Sequence, residues 1–368
     1  MVVALTGLFA ALGPAAPADA HTVGGQGSSN FHTVVTGMSP SVSGLSVRVV
    51  EDGGRLELTN HTGHEVIVLG YQDEPYLRLT PSGPDAGVFE NETSSTTYLN
   101  RSRTYGAIPP TANDKGEPVV WKRIGSGDAV RWHDHSAHYM SSAVTLPGPR
   151  SERQVFSDWT LAVTVAGQRV TFFGQLIWVP GPPAWPWWIL IAVAGLATAG
   201  LGALAAGPML VALAGIAVVL VDLGHSIGIA LDQAGTFGAQ VSTFASGNVV
   251  EAIAWLVGIV GAVIALRGGV GGLFAVGTAG AVIGAVGGLG DVGVLGHSSA
   301  PFVSSLVLAR ALTALSVALG LGLVPACALA VRRHDRASSG GPSAGSRHAG
   351  PRTDLDISDD LLAPRTAT

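Results

Sequence analysis

The chain has 368 residues, of which 47% are hydrophobic and 12% charged, with 51 glycines and a formal net charge of -5. This balance belongs to a membrane protein, and with 20 basic residues and no Lys/Arg-rich run it carries no electrostatic footprint for nucleic acid. The single cysteine, Cys327, excludes a disulfide framework within the chain and a cysteine-based zinc site.

Residues 1–20 read as a secretory signal: an apolar run over 2–12 leads through Gly13 and Pro14 to Ala18-Asp19-Ala20, a small-x-small cleavage pattern, although no positive segment precedes it. A cut after Ala20 makes His21 the mature N-terminus, whose free amine and imidazole together can chelate one copper ion. A cut after Ala18 leaves Asp19 first and removes that chelate.

Residues 21–180 are expected to form an all-β extracytoplasmic domain, an immunoglobulin-like sandwich. Residues 45–49 and 56–58 alternate apolar and polar on either side of Asp52-Gly53-Gly54, whose glycines reach positive φ easily, so they predict a hairpin. Further strands are expected at 66–69, 76–79, 119–124, 129–132, 141–146, 161–165 and 170–179, the last two joined at Gly167-Gln168. Short strands at this spacing favour an antiparallel sandwich over an α/β fold. The polar segment 81–118 reads as a surface excursion.

A Pro/Trp connector follows over 181–187, and Trp185, Trp187 and Trp188 suit a headgroup interface, being apolar rings with a wettable N–H. Residues 188–331 then contain five apolar stretches, at 188–206, 209–230, 249–266, 270–289 and 302–331, each near the ~20 residues needed to cross ~30 Å of hydrocarbon. With the β domain outside, five spans put the C-terminus in the cytoplasm, where Arg332, Arg333, Arg336 and Arg267 satisfy the positive-inside rule. The localisation read from this is the plasma membrane, and the tail 332–368, rich in Ser, Gly and Pro, is expected to be disordered. The same topology gathers Asp222, His225, Asp291, His297 and Arg310 on the outer side. Ionisable groups beside apolar spans are costly and ask for a partner or a use. They form either an ion-binding vestibule beneath the β domain or an Asp–Arg pair, Asp222 or Asp291 with Arg310, that locks helix packing.

The densest set of ligand-type side chains is residues 132–140, with His133, Asp134, His135, His138 and Met140 between Trp132 and Tyr139. Imidazole suits copper and zinc, and the Met140 thioether adds a soft donor favouring Cu(I). His133 and His135 share a face of an extended chain, and His138 joins them only if the chain turns. The other reading makes Asp134 a structural brace and Trp132 and Tyr139 ordinary core. His32, Met38, His61 and His64 are secondary candidates. Catalytic signatures are weak: no Gly-x-Ser-x-Gly sits in the strand-turn-helix context of a nucleophile elbow, and there is no His-Glu-x-x-His pair and no Lys-bearing phosphate loop.

The motifs Asn60-His61-Thr62-Gly63, residues 69–77, Tyr98-Leu99-Asn100-Arg101 and residues 132–140 resemble those of a family of uncharacterised actinobacterial membrane proteins with a secreted β domain. The order of signal, His21, β domain and membrane helices also resembles copper-resistance proteins that join a CopC-like domain to a CopD-like membrane domain. This chain differs from them in its longer outer domain, its five spans and its histidine pattern. The resemblance implies copper as the cofactor, held by His21 and one of the later histidines. The expected function is non-enzymatic: an external domain that binds a transition metal, with the lipid bilayer and a metallochaperone or other envelope protein as partners. The alternative is an envelope protein whose outer domain binds a protein or cell-wall component.

Overall fold

The computed structural model describes residues 27–81, 86–101, 108–112, 118–139, 144–233 and 236–339, so the signal segment 1–20 lies outside the described residues. Ten strands among the described residues form two antiparallel sheets. The larger has the order β1-β10-β9-β4-β5-β6-β7, and the smaller the order β2-β3-β8. They comprise β1 (Phe31–Ser39), β2 (Leu45–Val50), β3 (Arg55–Asn60), β4 (Val66–Leu69), β5 (Pro75–Thr80), β6 (Gly87–Asn91), β7 (Trp121–Gly125), β8 (Ala129–Trp132), β9 (Gln154–Val165) and β10 (Gln168–Trp178). The inward residues of both sheets make one core: Val47, Leu56, Leu58 and Val130 from the small sheet meet Val66, Val68, Leu77, Val163 and Phe172 from the large one. Alternation along the strands decides which face enters it, since successive side chains point to opposite sides.

Both predicted hairpins form. Glu51 (φ 54) and Gly53 (φ 92) turn β2 into β3, and Ala166 (φ 48) and Gly167 (φ 82) turn β9 into β10. Two strands escaped the sequence reading. β1 pairs with β10 from Phe31↔Trp178 to Ser39↔Thr171, with a bulge between Val35 and Gly37. β6 lies inside the supposed surface excursion, where Val88, Asn91 and Ser94 to Thr97 are buried and a short helix, α1 (Ser95–Arg101), packs on the sandwich. The excursion reading therefore fails. It took polarity as exposure, whereas these hydroxyls and amides are satisfied internally. Residues 144–146 are not a strand, and 141–143 lie outside the described residues.

The helical region holds α2 (Trp185–Leu201), α3 (Gly207–Asp232), α4 (Phe237–Gly247), α5 (Val249–Leu266), α6 (Val270–Val282, prolonged by a π-helical turn Ile283–Gly288) and α7 (Leu306–Ser339). Four stretches, Gly207–Asp232, Val249–Leu266, Val270–Gly288 and Leu306–Arg336, are long and apolar enough to cross a membrane, and α2 is a shorter apolar helix of 17 residues. Small residues let these helices approach closely, as is usual between membrane helices. A Cβ on Gly202 would stand 1.9 Å from Ala326 O, and one on Gly261 would stand 2.6 Å from the Ala275 side chain. α4 was not foreseen. Thr236 caps it, its Oγ1 accepting from Ala239 N at 3.3 Å. The helix α7 continues through Arg332 to Ser339, so the first residues of the expected disordered tail are helical.

The two halves meet through a short, highly polar junction. Ser29 pairs with Ser299 as an isolated bridge, Ser298 N donates to Asn30 Oδ1 at 2.8 Å, and Ser298 Oγ donates to Val179 O at 2.8 Å. His32 Nε2 meets Ser298 Oγ at 2.9 Å, and His297 Nδ1 meets Ser28 Oγ at 2.9 Å. β1 therefore starts, and β10 ends, at the helical side of the sandwich.

Candidate metal centre and junction cavity

His133 leaves β8 where Trp132 pairs with Leu56 of β3. The chain then turns around Asp134. The carboxylate accepts from Trp132 Nε1 (3.0 Å), Ser136 N (3.0 Å) and Ser136 Oγ (2.6 Å), and the Asp134 main-chain carbonyl accepts from Ala137 N (3.1 Å). The Tyr71 hydroxyl, whose one proton goes to the nearer Asn100 Oδ1, stands 3.1 Å from the carboxylate. That turn brings His138 back over His133. The ring centroids lie 4.1 Å apart for His133 and His138, 5.0 Å for His133 and His135, and 5.9 Å for His135 and His138. His133 is buried and the other two are half-buried. Ala137 O accepts from Thr33 Oγ1, and Tyr139 stacks on Phe31 at 4.1 Å, so the segment runs down β1 towards the helical region.

A second layer fixes this turn. Tyr71 Oη accepts from His135 N at 2.8 Å and reaches Asn100 Oδ1 at 2.7 Å. Burial pushes the Tyr71 phenol well above its ordinary value, and the nearby Asp134 carboxylate adds to the shift, so it stays a neutral donor. Glu74 caps α1: its carboxylate accepts from Ser94 Oγ (2.7 Å), Thr96 Oγ1 (2.7 Å), Thr96 N (3.2 Å) and Gln72 N (2.9 Å). Burial pushes this carboxyl up, but the Thr96 and Ser94 donors outweigh it and hold it below the usual range. Gly70 leaves room for the arrangement, since a Cβ there would lie 2.4 Å from both Glu74 Oε1 and Thr96 Oγ1. Three of the sequence motifs thus converge on one buried polar network.

The donor chemistry fits a soft or borderline metal. The Nδ1 atoms of His133 and His138 are held 2.9 Å from Gly54 O and 3.0 Å from Asp134 O, contacts that favour the Nδ1–H tautomer and would turn Nε2 towards a metal if one bound. Among the described residues, no group of three or more His, Cys, Asp or Glu side chains is arranged to hold a metal ion. A complete coordination sphere thus needs a ring rotation or added donors. His21 and Met140, the remaining members of the predicted set, lie outside the described residues. Asp134 is consumed by the turn, which favours its reading as a brace. The other histidines lie elsewhere: His61 pairs with exposed Asp128 at 2.7 Å and His64 is a turn residue.

A cavity of about 280 Å³ opens at the junction, lined by Ser28, His225, Ile229, Asp291, Val292 and His297 among others. His225 Nε2 lies 3.0 Å from Asp291 Oδ2 and 3.5 Å from Thr313 Oγ1. Asp222, one turn away on α3 and fully buried, accepts from Trp255 Nε1 at 2.8 Å, and a Cβ on Gly287 would stand 2.4 Å from its Oδ1. The π-helical turn thus brings a glycine against this carboxylate, as such turns often do at functional sites. Arg310 does not lock either aspartate. Its Nε and Nη2 donate to Val294 O (3.0 Å) and His297 O (2.8 Å), bracing the cavity loop instead. The five predicted vestibule residues are therefore neighbours: three line the cavity, Asp222 lies behind it, and Arg310 shapes its rim.

Comparison with protein-family models, with curated proteins and with solved structures returned no match. The resemblance to copper-resistance proteins rests on the order of segments read from the sequence alone.

Proposed function

We propose that this is an integral membrane protein whose external β domain, of immunoglobulin-like type, captures a transition metal, copper by preference, through His133, His135 and His138 with His21 and Met140 as further donors. The observation carrying this reading is the gathering of three imidazoles on one Asp134-centred turn, two of them with Nδ1 tied to a carbonyl. When bound, the metal would be held and shielded; imidazole and thioether suit Cu(I), and no reaction is assigned. The turn, which runs on to Tyr139 against Phe31 at the start of β1, lies in this reading on the bilayer side of the β domain, and the cavity of His225, Asp291 and His297 would serve as the next station. In this reading α2 is the fifth span, packed against α7 from Gly195 beside Ala318 to Gly202 beside Ala326. Five spans with the β domain outside leave the C-terminus in the cytoplasm, at the plasma membrane.

The full-length protein, purified in detergent with its native processed N-terminus, should bind about one copper ion per chain, and a His133/His135/His138 triple-alanine variant should lose it. Equal copper content in a folded variant would remove the metal reading. A second reading is then left: an envelope protein whose outer domain binds a protein or cell-wall partner. It is favoured by Asp134, which spends its carboxylate on the turn, and by the stacking of Tyr139 on Phe31.

A further inference from the structure

A second cleft, of about 340 Å³, lies where the edges of the two sheets meet α1, and is lined by Arg55, Tyr76, Glu90, Asn100, Arg101, Arg131, Trp132 and His133. Its chemistry is donor-rich. Three guanidinium groups line it, those of Arg55, Arg101 and Arg131, each held by a carboxylate, Glu51, Glu90 and Glu57 respectively. Arg48, more exposed, also pairs with Glu57.

The carboxylates orient the cations without consuming them. Arg55 Nη1 reaches Glu51 at 3.2 Å, Arg101 Nη2 reaches Glu90 at 2.6 Å, and Arg131 Nε bonds Glu57. A guanidinium carries five N–H donors, so most of each fork is left for a ligand or water. Glu57 is the anchor. Burial pushes its carboxyl up, but bonds from Arg48 and Arg131 outweigh this and keep it below the usual range, so it stays ionised.

Asn100 supplies the second, independent sign. Its side chain is only 7% exposed, its Oδ1 is taken by the Tyr71 hydroxyl, and its Nδ2 completes no hydrogen bond among the described residues, although the Tyr76 hydroxyl lies near it. A buried N–H₂ without an acceptor is costly, and it faces a polar cleft that could bring one. We propose that this cleft binds a phosphate-type oxyanion, as free phosphate or as a lipid headgroup, held by Arg55, Arg101, Arg131 and the Asn100 amide. Planar forks match phosphate oxygens, and Arg55 and Arg131 stand at the end of the small sheet where Leu56 pairs with Trp132; on the proposed topology this end of the β domain would be the one nearer the bilayer headgroups. The proposal does not depend on a metal, though His133 forms a wall of both sites.

The test is inorganic phosphate titrated into the full-length protein in phosphatidylcholine nanodiscs, followed by ³¹P line broadening. In parallel, native mass spectrometry counts lipids retained from membranes containing phosphatidylglycerol. Wild type should bind one phosphate saturably, or retain one phosphatidylglycerol per chain; the first outcome names free phosphate, the second the headgroup. Arg101→Gln, at a partly exposed position, and Asn100→Asp, which keeps the shape but reverses the polarity, should each weaken the interaction at least tenfold. Arg150→Gln, outside the cleft, should leave it unchanged. Should neither ligand distinguish wild type from a folded Arg101→Gln variant, the proposal is overturned. Copper binding measured on the same variants keeps its fate separate from that of the metal reading.

Discussion

At the scale of single residues, Asp134 and Tyr71 carry the histidine turn. The Asp134 carboxylate accepts three donors, Trp132 Nε1, Ser136 N and Ser136 Oγ, and hydrogen bonds to a charged group are worth about 1.5–3 kcal/mol each, more when removal orphans a buried donor such as Trp132 Nε1. Asp134→Ala should lower the unfolding free energy of the β domain by about 3 kcal/mol, read from the shift of its thermal transition. Tyr71→Phe should cost about 1–2 kcal/mol and, by loosening His135 and Asn100, weaken copper binding about tenfold in equilibrium dialysis. Glu74 gives a pH signature. Because its folded carboxyl is held below the ordinary value near 4.5, its contribution is complete above that pH and is lost as acid protonates the folded form. Glu74→Gln should flatten the acid limb of the stability curve below about pH 4.5; an unchanged limb would mean the α1 cap is not its source.

At the scale of elements, close packing rather than helix propensity decides what α2 tolerates. Gly200 and Gly202 lie two residues apart, yet a Cβ on Gly200 meets nothing within 4 Å while one on Gly202 collides with Ala326 O of α7. Gly200→Ala should be neutral or raise stability by up to about 1 kcal/mol. Gly202→Ala should destabilise by about 2 kcal/mol or more, both read as thermal midpoints in the same detergent. Strands with alternation, such as β2, β3 and β8, and the wholly apolar β4 were legible in the sequence, as were the apolar helices. What escaped had no such signal: β1 mixes Thr, Gly and Met along its length, α1 is mostly hydroxyl and amide side chains with Leu99 and Arg101, and α4 is an 11-residue helix of mixed small, aromatic and hydroxyl residues, too short to stand out beside the long apolar ones. Of the candidate site, the histidines could be read from composition, but the turn that unites them depends on Tyr71, distant in sequence. The arginine cleft draws on β3, β5, β6, β8 and α1 and has no linear motif at all.

At the scale of the whole molecule, the sandwich rests on the helical region through residues 28–32 and 297–299, and two histidines sit in that contact. Burial lowers the pKa of His297, so its ring stays neutral against Ser28 and Arg310 binds its main-chain carbonyl from the other side. Across the cavity stand His225 and Asp291, and His32 lies beside Ser298. A histidine with a depressed folded pKa adds stability that is complete above its ordinary value of about 6.5 and is lost as pH falls through the folded value. Protonation would place a second cation beside buried Arg310, so the junction is the element that acid should loosen first. Protection factors for hydrogen exchange, corrected for the intrinsic rate, should fall over residues 27–33 and 296–300 as pH drops below about 6.5, more than over β9 and β10, and His297→Asn should remove most of the difference. Uniform protection across that range would leave the junction insensitive to pH, with the metal turn and the cavity as independent sites on a rigid body. Loss of protection confined to the junction would make the contact between them responsive to the acidity of the surrounding medium.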